Sequence, residues 1–133
     1  MSQEKVEVVR RAFGALNTGG VEGVLSFLAS DVIFYPFPEW VEADEYRGHD
    51  GVREVFALWT ENFDEFAIEV HELRDAGGRV VALYEQSGRT KDSGVPVRQR
   101  VGGVFWDFRR GEIGKASYFL SWDEALQAAG LSE

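Results

Sequence analysis

One stretch, Val95 to Trp122, constrains the fold of this chain more than any other. Two runs rich in β-branched and aromatic residues flank Arg109-Arg110-Gly111-Glu112, the pattern of a long β-hairpin. Gly111 supplies the positive φ that a tight connection needs. Alternation puts Arg98, Arg100, Gly102, Val104, Trp106 and Phe108 on one face of the ribbon. Val97, Gln99, Val101, Gly103, Phe105 and Asp107 lie opposite. A two-stranded ribbon is marginal alone, and both faces here are partly apolar, so both need covering. The Val104 face is expected to be the interior, with Ala116, Tyr118 and Leu120 on the same side. A second subunit is expected to cover the other face.

The rest of the chain supplies partners. Val6, Val9, Phe13 and Leu16 recur at helical spacing, so Gln3 to Asn17 is an amphipathic helix closed by Asn17-Thr18-Gly19-Gly20. Val21, Val24, Leu25 and Leu28 mark a short second helix, and Val32 to Tyr35 a brief strand stopped by Pro36 and Pro38. Glu39 to Gly48 has no period and is read as an acidic surface flap. Asp50 is the expected N-cap of a third helix carrying Val52, Val55, Phe56, Trp59 and Phe63. Phe66 to His71 alternates as a strand, and Arg79 to Thr90 returns after Asp75-Ala76-Gly77-Gly78. Asp123 is expected to cap a last helix, Glu124 to Ala129, ended by Gly130. Helices followed by an antiparallel meander give an α+β single domain over residues 1–133. A curved sheet wrapped on helices leaves a cone that suits a small molecule.

Composition removes several function classes. There is no Cys among the 133 residues, so thiolate chemistry, disulfides and Cys-ligated metals are out. The formal charge of −9 works against nucleic acid, whose phosphates call for Lys and Arg. No apolar run approaches the roughly 18 residues of a membrane span, and no signal-like segment opens the chain, so a cytoplasmic protein is expected. His49 and His71 stand in separate elements without metal-site spacing, and no Gly-rich phosphate loop or Ser-His-Asp set is present. No metal or cofactor is expected.

Four motifs in this order resemble the SnoaL-like group of the NTF2-like superfamily. They are the Gly19-Gly20-Val21-Glu22 … Asp31-Val32 entry, the run Tyr46-Arg47-Gly48-His49-Asp50-Gly51-Val52, the turn Phe108-Arg109-Arg110-Gly111-Glu112-Ile113, and the tail Glu124 to Leu131. The resemblance spans nearly the whole chain. It implies a cone built from a curved antiparallel sheet wrapped on three N-terminal helices, with a short C-terminal helix, in a protein that often forms homodimers. That fold hosts isomerases, cyclases, dehydratases, hydrolases and binders without catalysis, so function rests on the site. Ketosteroid isomerase needs an Asp base, a Tyr and a protonated Asp. Those places fall at Tyr35, at Ala12 or Phe13, and at Val104, so that mechanism is excluded.

The resemblance makes Tyr35 the candidate hydroxyl donor. Glu85 is the candidate proton carrier if its strand register turns it inward, and Tyr118 a second hydroxyl. Phe56, Trp59, Val104 and Trp106 are expected to form walls, Arg100 to meet Glu85 or a ligand carboxylate, and Glu39 to reach in from the flap. The expected ligand is a small hydrophobic, oxygen-bearing molecule. It is either turned over by cofactor-free acid/base chemistry or bound without catalysis.

Overall fold

The computed structural model describes residues 2–36 and 45–131. Helix α1 (Ser2–Val24) is broken at Gly20, whose φ of 66° and ψ of −158° leave the helical region. The two expected N-terminal helices are thus one kinked element, followed by a 3₁₀ turn, Leu25–Phe27. Strands β1 (Leu28–Tyr35) and β2 (Tyr46–Arg47) lead into α2 (Gly48–Thr60). Strands β3 (Phe63–Asp75), β4 (Val80–Thr90), β5 (Pro96–Trp106) and β6 (Ile113–Phe119) form the meander, and α3 (Trp122–Ala128) ends the described fold.

The six strands form one curved sheet in the order β2-β1-β6-β5-β4-β3. It is mixed, because β1 runs parallel to β6. The expectation of a purely antiparallel sheet on three N-terminal helices is corrected on both counts. The meander itself is antiparallel throughout. Arg109 and Glu112 exchange backbone hydrogen bonds of 2.8 and 2.9 Å around Arg110 and Gly111. Both central residues have positive φ, 54° and 77°, the primed turn whose twist suits a hairpin.

Two caps differ from expectation. Arg47, not Asp50, is the N-cap residue of α2, and no side chain caps that helix. Ser121, not Asp123, caps α3, accepting a hydrogen bond from the Glu124 N–H. β3 runs beyond the expected Phe66 to His71 and pairs with β4 through two register shifts. The second, between Val70 and Glu72, switches its parity. Ile68, Val70 and Leu73 therefore all pack on the main core despite the odd step between them.

The sheet has two covered faces. Against the inner face α1 and α2 lay Val9, Phe13, Val52, Val55 and Trp59, which meet Phe34, Tyr84, Val101, Phe105, Ala116 and Tyr118. On the outer face α3 lays Ala125 and Leu126 on Val81, Leu83 and Val104. Five consecutive β4 residues, Val80 to Tyr84, are buried because both sides of that strand are covered.

Candidate functional site

The parity of the central strands settles what faces inward. Register pairs Tyr84 with Val101, Gln86 with Gln99, and Gly103 with Tyr118. Paired residues share a face, so Tyr84, Gln86, Gln99, Val101, Phe105 and Tyr118 belong to the inner side. Phe34, not Tyr35, is the inward residue of β1, at 2% exposure.

Around these residues runs a connected aromatic wall. Phe13 lies 5.0 Å from Tyr84 and 5.9 Å from Phe105 between ring centroids. Tyr118 lies 6.0 Å from Phe105, 5.3 Å from Phe34 and 5.2 Å from Trp59. Phe56 closes the set, 5.1 Å from Trp59 and 6.3 Å from Phe34. Gly103 leaves room for it: an added Cβ would stand 3.0 Å from the Phe105 ring.

Two small cavities lie within the wall. One of about 30 Å³ is lined by Val9, Phe13, Leu28, Phe34, Phe56, Phe105, Ile113 and Tyr118 among others. A second of about 20 Å³ lies among Trp59, Phe63, Phe66, Gln86, Ser87, Gly88, Val97 and Gln99. Each has room for a water or two, since one water needs on the order of 10–15 Å³. None of the described residues lining either cavity is Asp, Glu, Lys, Arg or His. The polar groups there are one phenol (Tyr118), two amides (Gln86 and Gln99), one hydroxyl (Ser87) and one indole (Trp59), all uncharged. Burial pushes the Tyr84 phenol up from its ordinary pKa. Tyr118 is pushed up by burial first and by Tyr84 second. Both stay protonated at neutral pH, so each can donate a hydrogen bond and neither serves as a base.

Of the expected site residues, Phe56, Trp59 and Tyr118 face this interior, as do Ala12 and Phe13. Five others do not. Tyr35 is on the outer face, its ring stacked on Trp106 at 6.1 Å and 8°. Arg79 lies over that same Trp106 at 5.4 Å. Val104 is under α3 in the second core. Arg100 lies over the Trp122 ring at 4.5 Å, and Glu85 is hydrogen-bonded to Arg98 on the same outer side. The expectation that Val104, Trp106, Arg100 and Tyr35 face the interior is corrected, and the register of β4, which the sequence left open for Glu85, turns it outward. Both faces of β5 are apolar because α3 covers the outer one, so apolar alternation alone did not choose between them. Glu39 lies outside the described residues.

Glu85 is held ionised. Arg98 beside it, helped by His71, keeps its carboxyl below the usual range against a smaller opposing effect of burial. His71 Nε2 lies 3.7 Å from Glu85, and Arg98 also reaches Glu69 at 3.6 Å. Among the described residues Glu69, His71 and Glu85 are grouped closely enough for a cation, within 4.8 Å of one another. The Arg98 guanidinium pairs with both carboxylates and already supplies the positive charge there. His49 is apart from all of this, its Nε2 3.0 Å from the Leu28 carbonyl oxygen.

The sequence reading missed Tyr84, Gln86, Gln99, Phe34 and Phe105 as interior residues. A signal was present. On β4 and β5 the neutral Tyr84, Gln86 and Gln99 fall on one parity, and the charged Glu85, Arg98 and Arg100 on the other. Charges are the groups that a dry interior rejects.

Solved structures with this architecture are numerous. An NTF2-like protein from Burkholderia thailandensis E264 is 22% identical, with a TM-score of 0.77 over 95% of this chain and 96% of that one. TerC, co-crystallised with polyporic acid, is 16% identical, with a TM-score of 0.76 over 96% and 98%. SalBIII, an epoxide hydrolase/cyclase-like enzyme of pyran ring formation in the polyether salinomycin, is 21% identical, with a TM-score of 0.73 over 91% and 95%. At these identities the likeness is one of fold. No curated protein matches the sequence. A family model for the SnoaL-like domain matches residues 9–115, from the inner side of α1 into β6, and the chain belongs to the SnoaL-like family.

Proposed function

We propose that this protein binds a small, uncharged, hydrophobic molecule whose oxygen end enters the interior of the sheet and is held there by aromatic contacts and neutral hydrogen bonds, the rest of the molecule needing more room than the two interior cavities give. The observation that carries this reading is the uncharged lining of both interior cavities. The phenol of Tyr118 and the amides of Gln86 and Gln99 can donate to a carbonyl, hydroxyl or ether oxygen. They cannot compensate a buried carboxylate or ammonium, so ionised ligands are rejected. SalBIII, of pyran ring formation in a polyether, is a compatible precedent on the same fold.

Binding without turnover is the reading favoured here. Acid/base isomerisation, cyclisation, dehydration or epoxide opening needs a proton acceptor, and none of the described lining residues is one. The phenols would serve such a reaction only as donors polarising an oxygen. We further propose a cytoplasmic homodimer joined through the outer face, where the half-buried Tyr35 and Trp106 stack. Sedimentation returning a 14.9 kDa species at micromolar concentration would remove the dimer.

The test is a thermal-shift and calorimetric screen of uncharged ketones, lactones and quinones beside carboxylates of matched size. An uncharged hit is expected to weaken several-fold in Tyr118→Phe, since one neutral hydrogen bond is worth about 1 kcal/mol. Matched carboxylates are expected not to bind at neutral pH. Equal binding of the charged and uncharged members, or full affinity in Tyr118→Phe, would refute the reading.

A further inference from the structure

Beside the two small interior cavities lies a larger one, between the break in α1, the outer side of α2 and the start of β3. Its volume is about 330 Å³, and Leu16, Val21, Phe56, Ala57 and Phe66 supply its apolar lining. Two of these rings are shared: Phe56 also lines the interior cavity beside Tyr118, and Phe66 also lines the cavity beside Gln99. The ring of Phe56 therefore separates a space for one or two waters from a space of ligand size, given that binding pockets run from roughly 300 Å³ upward.

The side cavity owes its form to fixed backbone features. Gly20 breaks α1 at its wall in a conformation that a residue with Cβ rarely adopts. Asn17 pins the opposite wall, its Nδ2 donating to the Ile68 carbonyl at 2.9 Å and its Oδ1 accepting from the Ile68 N–H at 3.2 Å. The other polar side chains of the lining are also engaged. Thr60 Oγ1 donates to the Phe56 carbonyl at 2.8 Å. Arg53 is held by Glu22 at 2.7 and 3.1 Å and by Asp50 at 2.7 Å. What the side cavity offers a guest is hydrocarbon contact, and the polar donors lie beyond Phe56.

We propose that the side cavity and the interior form one binding site partitioned by the Phe56 ring, and that the guest is an uncharged molecule with a hydrocarbon tail and an oxygen at one end. The tail lies among Leu16, Val21, Ala57 and Phe66, and the oxygen passes the displaced ring to meet Tyr118. This rests on the interior reading above for the oxygen end only; the tail site stands on its own geometry. Phe56 is half-buried, so a change of its rotamer can open the partition without unfolding.

Calorimetric titration of the full chain with 2-undecanone and 2-butanone tests it. The wild type is expected to bind the long ketone at least tenfold more tightly than the short one. Ala57→Phe, which fills the side cavity from α2, is expected to bring the two within threefold of each other. Phe56→Leu, a smaller partition that keeps the core apolar, is expected to speed association of the long ketone. If Ala57→Phe keeps the wild-type affinity for 2-undecanone while Tyr118→Phe weakens both ketones, the side cavity is overturned and the interior reading stands. If Ala57→Phe weakens the long ketone while Tyr118→Phe alters neither, the tail site stands and the interior reading falls. If neither ketone binds the wild type or Phe56→Leu, both are overturned.

Discussion

Gly102 of β5 and Ala125 of α3 are in such close approach that a Cβ on the glycine would stand 2.4 Å from the Cβ of the alanine. This contact seats α3 on the outer face, and the helix is what makes that face apolar. A Gly102→Ala substitution must push α3 away from Val81, Leu83 and Val104. Overpacking of this kind costs about 1–3 kcal/mol. Urea unfolding should show the midpoint falling, with much of the loss restored in Gly102→Ala/Ala125→Gly. A single variant as stable as the wild type would mean that α3 is not held at this distance.

The break in α1 gives a paired prediction. Gly19 and Gly20 both have open space where a Cβ would go, but only Gly20 has a positive φ, 66°. Gly19→Ala should stabilise by about 0.5–1 kcal/mol, the ordinary gain of alanine over glycine in a helix. Gly20→Ala should destabilise by about 1–3 kcal/mol, because alanine must adopt a conformation open mainly to glycine. Thermal unfolding of the two variants, moving in opposite directions, checks the break itself.

On the outer face, Glu85 titrates below its ordinary range because Arg98 hydrogen-bonds to it. A carboxyl with a depressed folded pKa binds fewer protons folded than unfolded. Its stabilising contribution is therefore present above its unfolded pKa and is lost as pH falls through the folded value. Arg98→Met should raise the Glu85 titration midpoint, followed by carboxyl NMR, and flatten the acid limb of the stability profile. An unmoved midpoint would mean that Arg98 does not carry the pair.

These features explain which parts of the fold could be read in advance. The hairpin turn at Arg110-Gly111 and the meander were legible because turn chemistry is local. The kink was half legible: two glycines signalled a break, but the helical periodicity on each side did not say that one element would continue through it. The sign of the sheet faces was not legible from apolar content. Val104 and Phe105 are both buried, one under α3 and the other under α1, and nothing local distinguishes them. The charged residues did carry the information. Placing Arg98 and Arg100 inside would have buried two guanidiniums, and the fold instead turns Gln99 and Val101 inward and leaves the arginines in contact with Glu85 and Trp122. The parity switch in β3 was hidden for another reason, since a bulge alters the pattern without any glycine or proline to mark it.

The uncharged interior itself can be tested by breaking it. Gln86 is 9% exposed on the inner face, opposite Gln99 and two residues from Tyr84. In Gln86→Glu the carboxyl loses hydration and meets no described cation among the cavity-lining residues, so its folded pKa should lie well above the unfolded one, near 4.3. Below about pH 4 both states are protonated, and the variant should differ little from its parent in ionisation energy. As pH rises past the unfolded value only the unfolded chain ionises. Stability relative to the wild type should then decline by about 1.4 kcal/mol per pH unit until the folded pKa is reached, and level off above it. Urea unfolding of the two proteins at intervals from pH 4 to pH 8 measures this difference directly. A difference that stays flat across the range would mean that water reaches position 86 freely. The exclusion of charged ligands, which depends on that position being dry, would then lose its basis.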